Sequence, residues 1–285
     1  MRYATAVLDD RLQPVTLLGE RVLSLRRLAA DTGTRLPATL LDAVREGDAD
    51  IREALDAWTR RSDSSALPPA SQVRFTLPFR PPGKIWGIGL NYRDHAADLD
   101  ERVPPEPASF NKPASCVVAP GDPILLPVVS RRVTAEAELG IVLGRNAPVI
   151  DEGAPMNAVF AFTTVLDMTA EDILRVNPRF LTRAKSFDGF FSFGPVLVTP
   201  DEVADVPGTT VRILHNGAPG PADQVRNMTY GPEQLIAFHA RGMTWEPGDI
   251  LSTGTPGAVA IHDGDVVTCV IDGIGRLESP VRSAA

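Results

Sequence analysis

The chain has 285 residues, 44% of them apolar and 22% charged, which excludes a disordered or fibrous protein and leaves room for one large domain or a large one with a small partner. Its 28 basic against 36 acidic side chains give a net charge of −8, which disfavours nucleic acid and anionic membrane surfaces as partners. Two cysteines, Cys116 and Cys269, stand apart without a C-x-x-C pair or a Cys/His array, so neither a disulfide framework nor a zinc site is expected.

In chain order, the runs 3–7 and 15–18 flank Asp9-Asp10 and read as a hairpin. Because Met1-Arg2 leads straight into that strand-like run, no signal peptide is expected, and no apolar stretch reaches the roughly 18 residues a bilayer requires, so a cytoplasmic protein without membrane partners is expected. Leu40, Leu41, Val44, Ile51, Leu55 and Trp58 recur at spacings that predict two short amphipathic helices broken near Gly47. The Ser- and Pro-rich stretch 61–71 reads as a linker, so a small N-terminal domain (1–70) is expected ahead of a main domain (71–285). From there, apolar runs at 85–90, 117–118, 124–129, 139–143, 159–166, 196–198, 211–214 and 266–271, cut by Gly and Pro, predict a strand-dominated domain. Helices are expected at 92–101 and 232–241, with a short helical turn after Asp167.

Glu136 and Glu138 lie two apart inside a strand pattern, so their side chains share a face. Adjacent carboxylates need protonation, a base or a hard cation, unless they are a solvent-facing stripe. Asp167 closes a long apolar run, where it either faces the end of a sheet or caps a helix. If it converges with the two glutamates, the three form an oxygen-only site suited to Mg²⁺, Mn²⁺ or Ca²⁺. His95 and Asp98, three apart at the start of the expected helix, can share a face, the acid fixing the imidazole as a general base; surface contact is the alternative. Lys185 can neutralise substrate charge near a metal site, or simply reach solvent. The loop 247–257, with Thr255, can hold an anion or make an ordinary hairpin, and Lys112 is an anion contact or part of a loop.

Taken together, Gly83-Lys-Ile-Trp-Gly-Ile-Gly-Leu-Asn-Tyr-Arg-Asp-His95, Lys112-Pro113, Ala135-Glu-Ala-Glu-Leu139, Asp167-Met-Thr-Ala170, Arg183-Ala-Lys-Ser-Phe-Asp188 and Ser252-Thr-Gly-Thr-Pro256 resemble the fumarylacetoacetate hydrolase family from about residue 80 onward. The resemblance implies an α+β, mostly β fold, a mixed β-sandwich roll behind a small N-terminal α/β domain, assembled as a homodimer. It implies a divalent ion, typically Mg²⁺, on Glu136, Glu138 and Asp167, with His95 as base, Asp98 as its acid partner, Lys185 facing substrate oxygens and Thr255 in a carboxylate-binding loop. The small-molecule substrates it implies are 2-oxo acids, β-diketones and their enols. C–C hydrolysis is the expected reaction, with decarboxylation or keto-enol and double-bond isomerisation, also within a biosynthetic pathway, as alternatives. A non-catalytic metal- and metabolite-binding protein is the reading from another class. Two departures stand out. Glu171 and Leu174 occupy positions where relatives often carry substrate-contacting Arg and Gln, so Glu171 is expected to repel a diacid unless Arg175, Arg179 or Arg183 takes over. Asp98 is one methylene shorter than the Glu common there.

Overall fold

The computed structural model describes residues 1–93 and 104–284. A three-stranded antiparallel meander opens the chain: β1 (Arg2–Leu8), β2 (Arg11–Leu18) and β3 (Arg21–Ser24). Asp9 and Asp10 alone connect the first two strands, and both have positive φ (49° and 57°), the paired left-handed turn whose twist matches adjacent strands. Three helices follow: α1 (Leu25–Thr32), α2 (Leu40–Glu46) and α3 (Ala49–Thr59). The last two are the pair expected around Gly47. The first is an addition, begun by the Ser24 side chain accepting from the Arg27 N–H and ended by Gly33 at φ 72°. It buries only Leu25 and Leu28, too short a repeat to stand out as periodicity.

The remaining strands are β4 (Arg74–Thr76), β5 (Ile85–Gly89), β6 (Ala108–Lys112), β7 (Ile124–Leu126), β8 (Val133–Leu143) and β9 (Val159–Ala170). Two short helices, α4 (Glu171–Val176) and α5 (Leu181–Lys185), lead to β10 (Phe191–Phe193), β11 (Val196–Val198), β12 (Thr210–His215) and β13 (Ala218–Gln224). The chain closes with α6 (Pro232–Ala240), β14 (Ile250–Ser252), β15 (Ala258–Ile261), β16 (Val266–Ile271) and β17 (Gly275–Ser283). The larger sheet runs β3-β2-β1-β11-β9-β8-β14-β5-β6, with β4, β10 and β15 attached to β1, β9 and β8. The smaller runs β13-β12-β16-β17-β7 and packs through β12, β16 and β17 on the β8–β9 pair. Both central strands are therefore buried along their whole length, which their β-branched, aromatic and small residues permit. This is the mostly β, α+β architecture expected.

Several local expectations are corrected. Residues 117–118 form no strand, only a bridge from Val117 to Phe191, and the run 124–129 is strand only to Leu126. Lys112 ends a strand instead of lying in a loop. The helix expected at 92–101 falls almost wholly outside the described residues. Across the position near residue 70 the sheet is continuous, since β1 pairs with β11, and one apolar core holds Leu28, Val44 and Trp58 together with Ile141, Phe162 and Leu251.

Candidate active site

The register of β8 against β9 builds the site. Glu136 lies directly opposite Asp167, and Glu138 stands two residues along the same face. One carboxylate oxygen from each of the three falls within 4.8 Å of the others. Their residues expose only 9%, 1% and 0% of their surface, which rules out the solvent-facing stripe. Nor is Asp167 a helix cap: β9 runs three residues past it, and Ala170 stands at the start of α4.

Two ammonium groups enter this cluster. Lys185, brought in by α5, donates from Nζ to Glu136 Oε2 (2.7 Å) and Asp167 Oδ2 (2.9 Å), while Lys112 Nζ donates to Asp167 Oδ1. Both lie over aromatic faces, Lys185 4.8 Å from the Phe110 centroid and Lys112 5.9 Å from that of Phe191. The Thr169 hydroxyl donates to Glu136 Oε1 (2.7 Å). Glu138 Oε2 accepts from the Ser252 hydroxyl and from the Gly254 N–H (2.9 Å). Position 254 requires glycine: φ is +93°, and a Cβ there would come within 2.9 Å of Asn91 Cβ and 3.0 Å of the Ile88 carbonyl oxygen.

Three carboxylates against two ammoniums leave one uncompensated negative charge among buried side chains. Burial, with the Asp167 and Glu136 carboxylates beside it, pushes the Glu138 carboxyl well above the usual carboxylate range. Burial works against the Lys185 charge, but Asp167, Glu136 and Glu138 outweigh it and hold the ammonium protonated. An excess of buried negative charge on closely grouped hard oxygens is the environment a divalent cation relieves, so these residues fit such an ion.

The other expected site residues fall as follows. Lys112 is buried in the network on Asp167. The 252–257 loop does hold an anion, but it is the protein's own Glu138; the Thr255 hydroxyl donates to the Gly257 carbonyl (2.8 Å) and accepts from the Gly257 N–H. Glu171 meets the exception stated for it: Arg175, together with Arg132, donates to its carboxylate, and the two hold it below the usual range despite partial burial. His95 and Asp98 lie outside the described residues. Thr169, Ser252 and Asn91 are not among the expected site residues. Asn91 donates to the Thr253 (2.7 Å) and Tyr230 (3.0 Å) carbonyls and so fixes the loop behind Glu138.

Comparison with known proteins bears on this arrangement. Residues 84–282 match the family described as Fumarylacetoacetate (FAA) hydrolase C-terminal. The mitochondrial oxaloacetate tautomerase FAHD2A of Homo sapiens is 35% identical over 257 residues, 86% of this chain and 80% of its own length. Its Xenopus laevis counterpart fahd2 is 34% identical over 255 residues, 86% and 79% of the two chains. Among solved structures, maleylpyruvate hydrolase from Sphingobium sp. SYK-6, in complex with manganese(II) and pyruvate, superposes with a TM-score of 0.80 at 27% identity over the whole of both chains. Fumarylacetoacetate hydrolase from Exiguobacterium antarcticum does so with a TM-score of 0.82 at 26% identity, again over both whole chains.

Proposed function

The chain belongs to the fumarylacetoacetate hydrolase family, and on that premise we propose that it is a divalent-metal-dependent enzyme that enolises a 2-oxo acid, with keto-enol tautomerisation as its reaction. The observation that carries this reading is the convergence of Glu136, Glu138 and Asp167 with two buried ammonium groups. Those carboxylates would hold the ion. When bound, it would supply Lewis acidity to the carboxylate and 2-oxo oxygens of the substrate.

The protein's own groups do the rest. Ser252 and Gly254 keep Glu138 in place, and Thr169 and Lys185 fix the orientation of Glu136. The Lys185 ammonium presents positive charge next to where an enolate oxygen develops. His95 moves the proton at the adjoining carbon through an imidazole nitrogen, with Asp98 setting its tautomer. Mg²⁺ as the ion, a homodimer and a cytoplasmic setting belong to the same reading.

C–C hydrolysis, the reaction expected first from the motifs, is the second reading, favoured by the full-length likeness to maleylpyruvate hydrolase. It uses the same enolate with water as an added reactant.

Glu138→Gln keeps the shape and the two hydrogen bonds at this position while removing one charge. With oxaloacetate and Mn²⁺ or Mg²⁺, wild type is expected to speed decay of the enol absorbance, and the variant to lose roughly 10² or more of that rate. Full activity in Glu138→Gln would overturn the reading. A protein that binds Mn²⁺ and pyruvate but turns over neither oxaloacetate nor acylpyruvates would be the non-catalytic alternative.

A further inference from the structure

Gly87, within the run 83–95, lies opposite Phe110 on the β5–β6 ladder. A Cβ at position 87 would stand 2.3 Å from Phe110 Cζ and 2.5 Å from Cε2, so only a hydrogen fits beneath the ring. The ring is thereby laid inward across β5, and Phe110 is buried although β6 is the outermost strand of the larger sheet. Gly87 is in turn paired with Ser252, the donor to Glu138, so the ring is directed toward the acids.

Phe110 and Lys112, two apart on β6, share a face, and both end at the acid cluster. Lys112 Nζ reaches Asp167, and the centroid of the Phe110 ring lies 4.8 Å from Lys185 Nζ. Among the described residues the Lys185 ammonium has two oxygen acceptors, Glu136 Oε2 and Asp167 Oδ2, which leaves one of its three N–H groups without an oxygen. An aromatic face attracts an ammonium without adding formal charge, so the surplus of negative charge on the three acids stays available to a dication. Covering a strand glycine with a cross-strand ring also shields the backbone, a purely structural service. The contact with Lys185 goes beyond it.

We propose that Phe110, seated over Gly87, is a positioning residue for Lys185: its π-face holds the ammonium in place when a divalent ion draws on the oxygens of Glu136 and Asp167. The proposal rests on the metal-dependent reading above and adds to it the group that keeps the lysine charge beside the substrate.

The chain contains three lysines, Lys84, Lys112 and Lys185, so protein carrying lysine labelled with ¹⁵N at Nζ gives an ammonium spectrum that is simple to assign. In the metal-free and the Mg²⁺-loaded protein alike, the resonance that disappears in Lys185→Arg is expected to lie upfield of the ordinary lysine position, shifted by the ring current of Phe110, and to lose that shift in Phe110→Leu. The rate is read with 3,4,5-trifluorophenylalanine at position 110, which nearly keeps the shape of the ring while withdrawing electrons from its face. Mg²⁺-dependent decay of the oxaloacetate enol is expected to slow about 10-fold there, with KM within about twofold. A ring that only shielded the Gly87 backbone would leave that rate unchanged. An unshifted Lys185 resonance, or full rate in the trifluorinated protein, overturns the inference and leaves the metal-dependent reading standing. Wild type without metal-dependent turnover overturns both, a result told apart from the others because it needs no variant.

Discussion

Ser252 and Gly254 direct two donors at one oxygen of Glu138, and this fixes how much a single hydroxyl is worth. Ser252→Ala leaves a buried carboxylate with one donor fewer, which is expected to cost about 1–3 kcal/mol in urea unfolding and to weaken Mn²⁺ binding in the same preparation. Asp265 provides the pH dependence at this scale. Partial burial works the other way, but the Asn216 side chain (2.8 Å), nearby His215 and the His262 N–H (2.8 Å) hold its carboxyl down at about 2. Its stabilising contribution is therefore full above the ordinary aspartate range, about 4, and lost as pH falls from there toward 2. The urea midpoints of wild type and Asp265→Asn should accordingly be well separated at about pH 6 and closer together at about pH 3. The spacing of Glu136 and Glu138 makes their common face legible in the sequence, because strand side chains alternate. The roles of Thr169 and Ser252 are not, because a hydroxyl acquires a partner only once the register is set. Glu171 shows both sides of this limit: Arg175, four residues on in the same helix, is a partner the sequence suggests, whereas Arg132 reaches it only once β8 and β9 are in register.

At the level of elements, long apolar runs are legible and polar edges are not. β8 and β9 announce themselves through β-branched and aromatic residues, although both extend beyond the runs expected. β13 carries Pro219 and Pro221 and lies at the edge of the smaller sheet, where proline is tolerated, so its composition reads as loop. Asn216 and Gly217, both at positive φ, are the turn signal that would have revealed its hairpin with β12. α2 depends on a reciprocal cap between Thr39 and Asp42, each side chain accepting from the other's backbone N–H. Thr39→Ala is expected to cost about 1 kcal/mol, read as a lowered urea midpoint with unchanged slope.

Across the whole molecule, the N-terminal meander closes the larger sheet. β1 covers β11, so removing residues 1–24 would leave a buried strand with unpaired N–H and C=O groups; soluble yield should fall and light scattering rise. Composition suggests a linker near residue 70, but pairing between strands almost 200 residues apart leaves no local trace in the sequence. A cation on the three acids would bind only the folded chain, so Mn²⁺ at about 100 times its Kd should add about 2.7 kcal/mol to stability, and a chelator should reverse the rise in Tm. Because Glu136 faces Asp167 across a single rung, slippage by one residue between β8 and β9 would turn Asp167 to the opposite side of the sheet. A mispaired chain would lack the third oxygen donor, so the stoichiometry of bound manganese in a purified batch would count the fraction of molecules whose two central strands are correctly threaded.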